Sequence, residues 1–251
     1  MLLFKIVLAP VLIGLVSLAG RRWGPGIAGW LLGLPLNSGP ILIFLVLEQG
    51  RGFASTAAIG SLIGIIPWSA FALIYSLCCP KLSWWQSMIV GWIGYGLVAL
   101  LVLPIHVVVG WAYVLVTLTL AAILLAFPTP AQSGAVAPRR KYELWLRMIT
   151  AAGMVVTLTG VARELGPTRS GLLSAFPAYT TILAVFNHQQ SAAAAVKVLR
   201  GVTMGLYTAA TFFLVLSTAL LRTGAILSFT LAIVAAGVVQ AGSLVFVRKG
   251  S

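Results

Sequence analysis

Gly33-Leu34-Pro35-Leu36-Asn37-Ser38-Gly39-Pro40 stands in the middle of an apolar run, about 25–48, that is long enough to cross a bilayer. Roughly 20 apolar residues make one crossing. Pro35 and Pro40 remove helical hydrogen bonds and the flanking glycines loosen the backbone, so a broken helix is expected here. In hydrocarbon, the carbonyls freed by such a break need protein, water or a ligand. A second stretch, Ala175-Phe176-Pro177-Ala178-Tyr179-Thr180-Thr181, has the same form near mid-run in about 168–188. Proline-interrupted segments at matching places in two halves of a membrane protein point to a binding site at the midplane. The expected substrate-binding residues are Pro35, Asn37, Ser38, Pro177, Tyr179 and Thr180. Their hydroxyl and amide groups suit a neutral or anionic ligand. The alternative is a kinked packing helix whose hydroxyls bond their own backbone.

Working outward, further spanning runs fall at about 2–20, 53–79, 84–103, 105–127, 143–163, 193–220 and 224–247. Most are apolar on every face, as lipid-embedded helices are. They are too long for barrel strands and do not alternate. The fold class expected is an all-α polytopic membrane protein of about nine transmembrane helices. The chain of 251 residues is 61% hydrophobic and only 8% charged, against about a quarter charged in soluble domains. That excludes a soluble enzyme, a secreted disulfide scaffold and a disordered tail.

The two broken runs belong to a longer internal match. At a spacing of 142 residues, Leu2 pairs with Leu144, Ala9 with Ala151 and Arg21 with Arg163, while Lys5 falls on Arg147. Gly24-Pro25 pairs with Gly166-Pro167, Gly29 with Gly171, Pro35 with Pro177 and Phe44 with Phe186. After one gap the spacing is 141, and Gly60, Gly64 and Phe71 pair with Gly201, Gly205 and Phe212. Glycine and proline matches carry the argument, because each answers a backbone need. The expected organisation is a first four-helix repeat over 1–103, an extra helix at 104–127, a polar basic linker at 128–142, and a second four-helix repeat over 143–251. The extra helix makes matching helices point oppositely, which is an inverted repeat.

The net charge of +13 is spread as ones and twos between apolar runs, apart from Arg139-Arg140-Lys141. It reads as topology information, not as a nucleic-acid surface. With the N-terminus outside, eleven Lys and Arg fall inside and five outside. The positive-inside rule therefore favours an external N-terminus and a cytoplasmic C-terminus. Arg21-Arg22 directly after the first run, and recurrence of that run in mid-chain, argue against a cleaved signal peptide. Cys78 and Cys79 are adjacent and read as apolar helix-end residues.

There is no Asp, and the three Glu are Glu48, Glu143 and Glu164. Glu143 and Arg147 have the spacing of an i,i+4 ion pair. Glu48 and His188 end matching helices and are candidates for a coupling group or gate; the alternative is simple solvation of helix ends. Gly60, Gly64, Gly201 and Gly205 form matching small-residue stripes for helix packing. Trp23, Trp84, Trp85 and Trp145 suit an interfacial belt. Trp30, Trp68, Trp92 and Trp111 lie deeper and read as packing residues. No phosphate loop, metal motif or nucleophile motif is present. No enzyme activity, cofactor or metal is expected, and no nucleic-acid partner. The expected partners are the lipid bilayer, a small-molecule substrate and a second copy of the chain.

The pattern Arg169-Ser170-Gly171-Leu172-Leu173-Ser174-Ala175-Phe176-Pro177-Ala178-Tyr179 resembles the GlpM-type small bacterial inner-membrane proteins. The resemblance covers 143–247 best, and 2–103 through the repeat. It implies a bacterial inner membrane and a fused two-copy assembly, but no mechanism. The chain departs from that family by its duplication and its extra helix. Small drug exporters also use four-helix units, but rely on a membrane-embedded Glu in the first helix; the run 2–20 has none. The function expected is a small secondary transporter or exporter. The alternative is a membrane scaffold for envelope or polysaccharide assembly.

Overall fold

A computed structural model describes residues 2–35, 38–104, 108–129, 142–164 and 176–249. Asn37, His106, Ala175, the Arg139-Arg140-Lys141 cluster and the resemblance-bearing stretch from Arg169 to Ser174 lie outside the described residues. The regular elements are helices: α1 (Leu2–Trp23), α2 (Pro25–Leu32), α3 (Ser38–Ile63), α4 (Ile65–Cys78) and α5 (Trp84–Val102). They continue with α6 (Val109–Ala126), α7 (Glu143–Glu164), α8 (Ala178–His188), α9 (Ala192–Ala219) and α10 (Ala225–Lys249). Among the described residues, five stretches are long and apolar enough to cross a membrane: Ser38–Cys78, α5, α6, α9 and Ala225–Leu244. The chain is an all-α integral membrane protein.

Backbone chemistry sets where the helices stop. Gly24 has φ 94° and turns the chain sharply into α2, which opens on Pro25. α2 ends at Leu32 and α3 begins at Ser38, so the apolar run 25–48 is two helical pieces. Gly50, at φ 86° and ψ 170°, divides α3 between the runs expected at 25–48 and 53–79. Only glycine adopts such a conformation cheaply. At the α3–α4 junction Pro67 has no N–H for the Ile63 carbonyl, which bends the path there. The Gln86 side chain accepts from the Ser83 backbone N–H at 3.0 Å and the Ser191 hydroxyl accepts from Ala194 N–H at 3.0 Å, so α5 and α9 start on capped ends.

α9 is the centre of the molecule. Its most apolar window is 72% buried, against 17–22% for α5, α6 and α10, and it packs on α2, α3, α4, α6, α8 and α10. The outer helices turn lipid-type faces outward. α6 buries Ala112, Val116, Leu120 and Ile123 on one stripe, which leaves Trp111 71% exposed. Its expected packing role is thus not the one it has: it sits one residue off the inward stripe. α4 lies close on α5 because Gly91 and Gly94 leave room for Phe71 and Ile74. α1 runs antiparallel to α7: Gly14 meets Met148, and further along Ser17 meets Arg147 at 3.4 Å.

The tightest seam is between α2 and α9. A Cβ on Gly29 would lie 1.9 Å from the Val198 carbonyl oxygen, and one on Gly33 would lie 2.1 Å from the Gly205 carbonyl carbon. A Cβ on Gly201 would lie 2.1 Å from the Gly26 oxygen. The helices touch backbone to backbone, as small-residue stripes permit. Gly60 differs from Gly201, its counterpart in sequence: it is exposed, with no atom within 4 Å of its Cβ position. Gly64 forms the junction between α3 and α4. In this chain the described close approach of two helices at these positions involves Gly201 and Gly205 only.

Candidate functional site

The second break carries the larger polar group. Pro177 caps the start of α8, and the first helical bond runs from Thr181 N–H to the Pro177 carbonyl at 2.8 Å. Thr180 and Thr181 are buried, while Tyr179 is half-buried. Trp68 on α4 donates its indole N–H to the Thr180 hydroxyl at 2.9 Å. Trp92 on α5 donates to the Thr181 hydroxyl at 3.2 Å, and that hydroxyl donates to the Pro177 carbonyl at 2.8 Å. Phe176, just before the break, lies 5.4 Å from the Trp92 ring and 5.5 Å from the Tyr95 ring. The start of α8 therefore sits in an aromatic box with two hydroxyls bonded to indoles. A buried indole N–H needs an acceptor, so Trp68 and Trp92 position α8 as well as fill space.

The first break is served by other residues. The Trp30 carbonyl, at the end of α2, accepts from the Gln240 amide at 3.2 Å. Gln240 in turn accepts from the Thr208 hydroxyl, and the Trp30 indole donates to the Ser243 hydroxyl at 2.8 Å. α10 thus adds a side-chain amide to a helix-end carbonyl that the Gly33 N–H also reaches at 3.2 Å, which meets the demand for partners of helix-end carbonyls in lipid. Pro35 and Ser38 flank the break half-buried. Just inside α3, Gly39 faces the Phe212 ring of α9.

The structure joins Thr180 to α4 through Trp68 and its neighbour Thr181 to α5 through Trp92, with Pro177 and half-buried Tyr179 in the same first turn of α8, and places Ser38 at the head of the α3 segment that packs on α9. Both described segments pack on α9; the first draws its side-chain bonds from α10, and the second from α4 and α5. Sequence reasoning assigned Trp30, Trp68 and Trp92 to packing and passed over Thr208, Gln240 and Ser243. A usable signal existed for one of them: Gln240 is the sole amide side chain in Ala225–Leu244, and a lone amide in an apolar span needs a partner.

A charged group lies at one end of the molecule. Glu143 and Arg147 form the ion pair their spacing implies, with side chains 9% and 7% exposed. Glu143 also accepts from the Gln190 amide at 2.8 Å. Arg147 donates to the Ser17 hydroxyl at 3.4 Å and lies 5.2 Å from the Phe186 ring centre. One arginine thereby ties α7 to α1 and α8. Beside it is a small cleft lined by Ser17, Arg21, Pro25, Glu143, Arg147 and Asn187. His188 is at the same end, with Nδ1 3.1 Å from the Tyr75 hydroxyl. Glu48 is at the end of the first half of α3, exposed, close in sequence to Arg51. Arg51 donates to the Thr223 carbonyl at 3.0 Å.

Chemically, the two breaks offer hydroxyls, an amide, indoles and backbone groups. No cluster of three or more His, Cys, Asp or Glu exists among the described residues. A ligand at either break would be held by hydrogen bonds and aromatic contact. No protein family, curated protein or solved structure matches the chain.

Proposed function

We propose that this chain is a small secondary transporter or exporter of the bacterial inner membrane, with its substrate path between the two proline-broken helices. The observation that carries the reading is a helix terminus beside each of the two matching prolines: α2 stops at Leu32 before Pro35, and α8 starts at Ala178 after Pro177. Broken helices at matching places in two halves are how many such carriers expose backbone groups to a substrate. Their partners here are hydroxyls, indoles and an amide, so the substrate is a small neutral or anionic molecule.

The packing supports an inverted duplication with about nine crossings. α4 lies on α5 as α9 lies on α10, and α3 packs on α9 while α8 is joined to α4 by the Trp68–Thr180 and Tyr75–His188 side-chain bonds. Matching helices α1 and α7 run antiparallel. Contacts sort the loops into two faces: Arg51 reaches Thr223 on one, while Cys79 reaches Ala192 and Ser17 reaches Arg147 on the other. The second face holds more Lys and Arg and is the cytoplasmic one by the positive-inside rule. The GlpM-type resemblance of Arg169 to Tyr179 agrees with a bacterial inner membrane.

The test is solvent access. Asn37→Cys and Tyr179→Cys are made singly in a Cys78→Ala, Cys79→Ala background and challenged with a membrane-impermeant maleimide in sealed vesicles. A transporter exposes both positions to water, and label reaches both. If both stay sealed in a folded protein, the path does not exist and the scaffold reading replaces it.

A further inference from the structure

We propose that the furrow on α9 between α6 and α10 binds one anionic phospholipid, with the lipid phosphate on Arg200. The site lies apart from the two breaks and stands whether or not the chain carries a substrate.

α9, the central helix, is buried on every side but one. Between Lys197 and Thr211 the residues that are not buried are Lys197, Arg200, Met204, Tyr207 and Thr211. Their spacing of three or four sets them on one stripe. Four of the five are polar, while the buried positions of the same stretch are mainly apolar or glycine. The outer helices do the reverse: α6 turns Leu118 and Leu125 outward, and α10 turns Ile233 and Val238 outward. α6 meets the stripe at Tyr207, whose hydroxyl donates to the Thr117 carbonyl at 3.3 Å. It meets it again at Thr211, whose hydroxyl lies 3.2 Å from that of Tyr113. α10 meets the adjoining face of α9, where Thr208 donates to Gln240 and the Phe212 ring lies 6.5 Å from that of Phe229. α6 and α10 both pack on α9 and have no comparable packing on each other among the described residues. The stripe is the floor between them.

The hydroxyls of that floor have partners. Tyr207 donates to α6, and Thr211 donates to the Tyr207 carbonyl at 2.9 Å. Arg200 differs: its Nε is sealed against the protein and has no hydrogen-bond partner among the described residues. Thr117 stands by Tyr207 and Tyr113 by Thr211, so α6 runs antiparallel to α9 and Arg200 falls level with Leu124, near the end of α6 at Ala126. The negative end of the α6 dipole is a simple reason for a cation here, but it supplies no acceptor for Nε. Glu143, a carboxylate at this end of the bundle, is engaged by Arg147 and Gln190. A charged donor within a membrane helix and without an acceptor is costly, and such a residue marks a functional site.

The acceptor required is an anion, and the surroundings say which kind. Arg200 stands about 12 Å along the axis from Ala192, where α9 starts. Lys197 is beside it, one turn nearer that end. Met204 and Leu124, both half-buried and apolar, lie on the inward side. A ligand with phosphate at Arg200 and hydrocarbon over Met204 and Leu124 is an amphiphile. Basic pockets between membrane helices near one surface hold acidic lipid head groups, and an arginine fork matches two phosphate oxygens. Two neighbouring cations disfavour a choline head, which brings a positive charge of its own.

The test is native mass spectrometry of the full chain, released from micelles doped with dioleoyl phosphatidylglycerol or dioleoyl phosphatidylcholine. The parent is expected to hold one phosphatidylglycerol about tenfold more tightly than phosphatidylcholine. Arg200→Gln is expected to lose that preference. Arg222→Gln, which removes an exposed charge past the far end of α9, is expected to keep it. Where Arg200→Gln does not accumulate, Met204→Trp, which fills the furrow and leaves the guanidinium in place, is read instead. A parent without preference, or a preference that survives the variant read, overturns the proposal. Equal loss in Arg222→Gln makes the attraction general and overturns it as well. If millimolar inorganic phosphate displaces the bound lipid, the site takes a free anion and the lipid assignment falls. A lipid-free dimer puts a second copy in the furrow, with the same consequence.

Discussion

Gly201→Ala sets a methyl group 2.1 Å from the Gly26 carbonyl oxygen and 3.1 Å from the Trp30 amide nitrogen. A carbon and a carbonyl oxygen in ordinary contact are about 3.3–3.6 Å apart. α2 and α9 must therefore part by about 1 Å at that point. Every clashing atom is backbone, so no side-chain rotation relieves it. Parting the helices also disturbs Gly29, Gly33 and Gly205, which are equally tight. Overpacking costs about 1–3 kcal/mol, and a backbone clash on a rigid seam belongs near the top of that range. Alanine returns about 1 kcal/mol of helix propensity. The net loss is about 2 kcal/mol, which lowers Tm by about 4–8 °C in a chain of this size. The control is Gly60→Ala, where the new methyl meets nothing within 4 Å and only the propensity gain remains. Thermal unfolding of the detergent-solubilised protein, followed by tryptophan fluorescence, measures both. Equal melting of the two variants would refute the seam and the different roles given to matched glycines.

Other substitutions test the polar groups. Gln240→Leu removes the amide that serves the Trp30 carbonyl and the Thr208 hydroxyl; a loss of about 1–3 kcal/mol is expected in the same melt. Trp68→Phe keeps the ring and deletes the bond to Thr180, which costs about 1 kcal/mol and raises maleimide access at Tyr179→Cys. Glu143→Leu or Arg147→Leu alone strands a buried charge and costs about 3–5 kcal/mol, whereas the double change recovers most of that; a double-mutant cycle checks the recovery. Trp111→Leu, on the outward face of α6, is expected to stay within about 0.5 kcal/mol of the parent.

Several features were legible in one dimension because their cause is local. Proline and glycine report backbone demands wherever they stand, so the break at Pro35, the helix start after Pro177 and the division at Gly50 could be placed without a structure. The Glu143–Arg147 pair follows from helical spacing alone. Interfacial tryptophans were similarly plain: Trp23, Trp84, Trp85 and Trp145 are all well exposed at helix ends. Rotation of a helix about its own axis was not legible where every face is apolar. That is why Trp111 turned out to face outward and why Gly60 and Gly201, alike in sequence, have unlike surroundings.

The sequence by itself determined the class of the protein, because 61% hydrophobic residues in spanning runs leave no soluble alternative. It also determined where helices break, since φ preferences and missing N–H groups act within a few residues. Tertiary structure decided who serves those breaks. Gln240 reaches Trp30 across 210 positions of chain and Trp68 reaches Thr180 across 112. Such partnerships are set by which faces meet in the bundle, and no short-range property of the sequence encodes that. The same holds for the Glu143–Arg147 pair: the pair itself is local, but its contacts with Ser17 and Gln190 exist only because α1, α7 and α8 have ends that lie together.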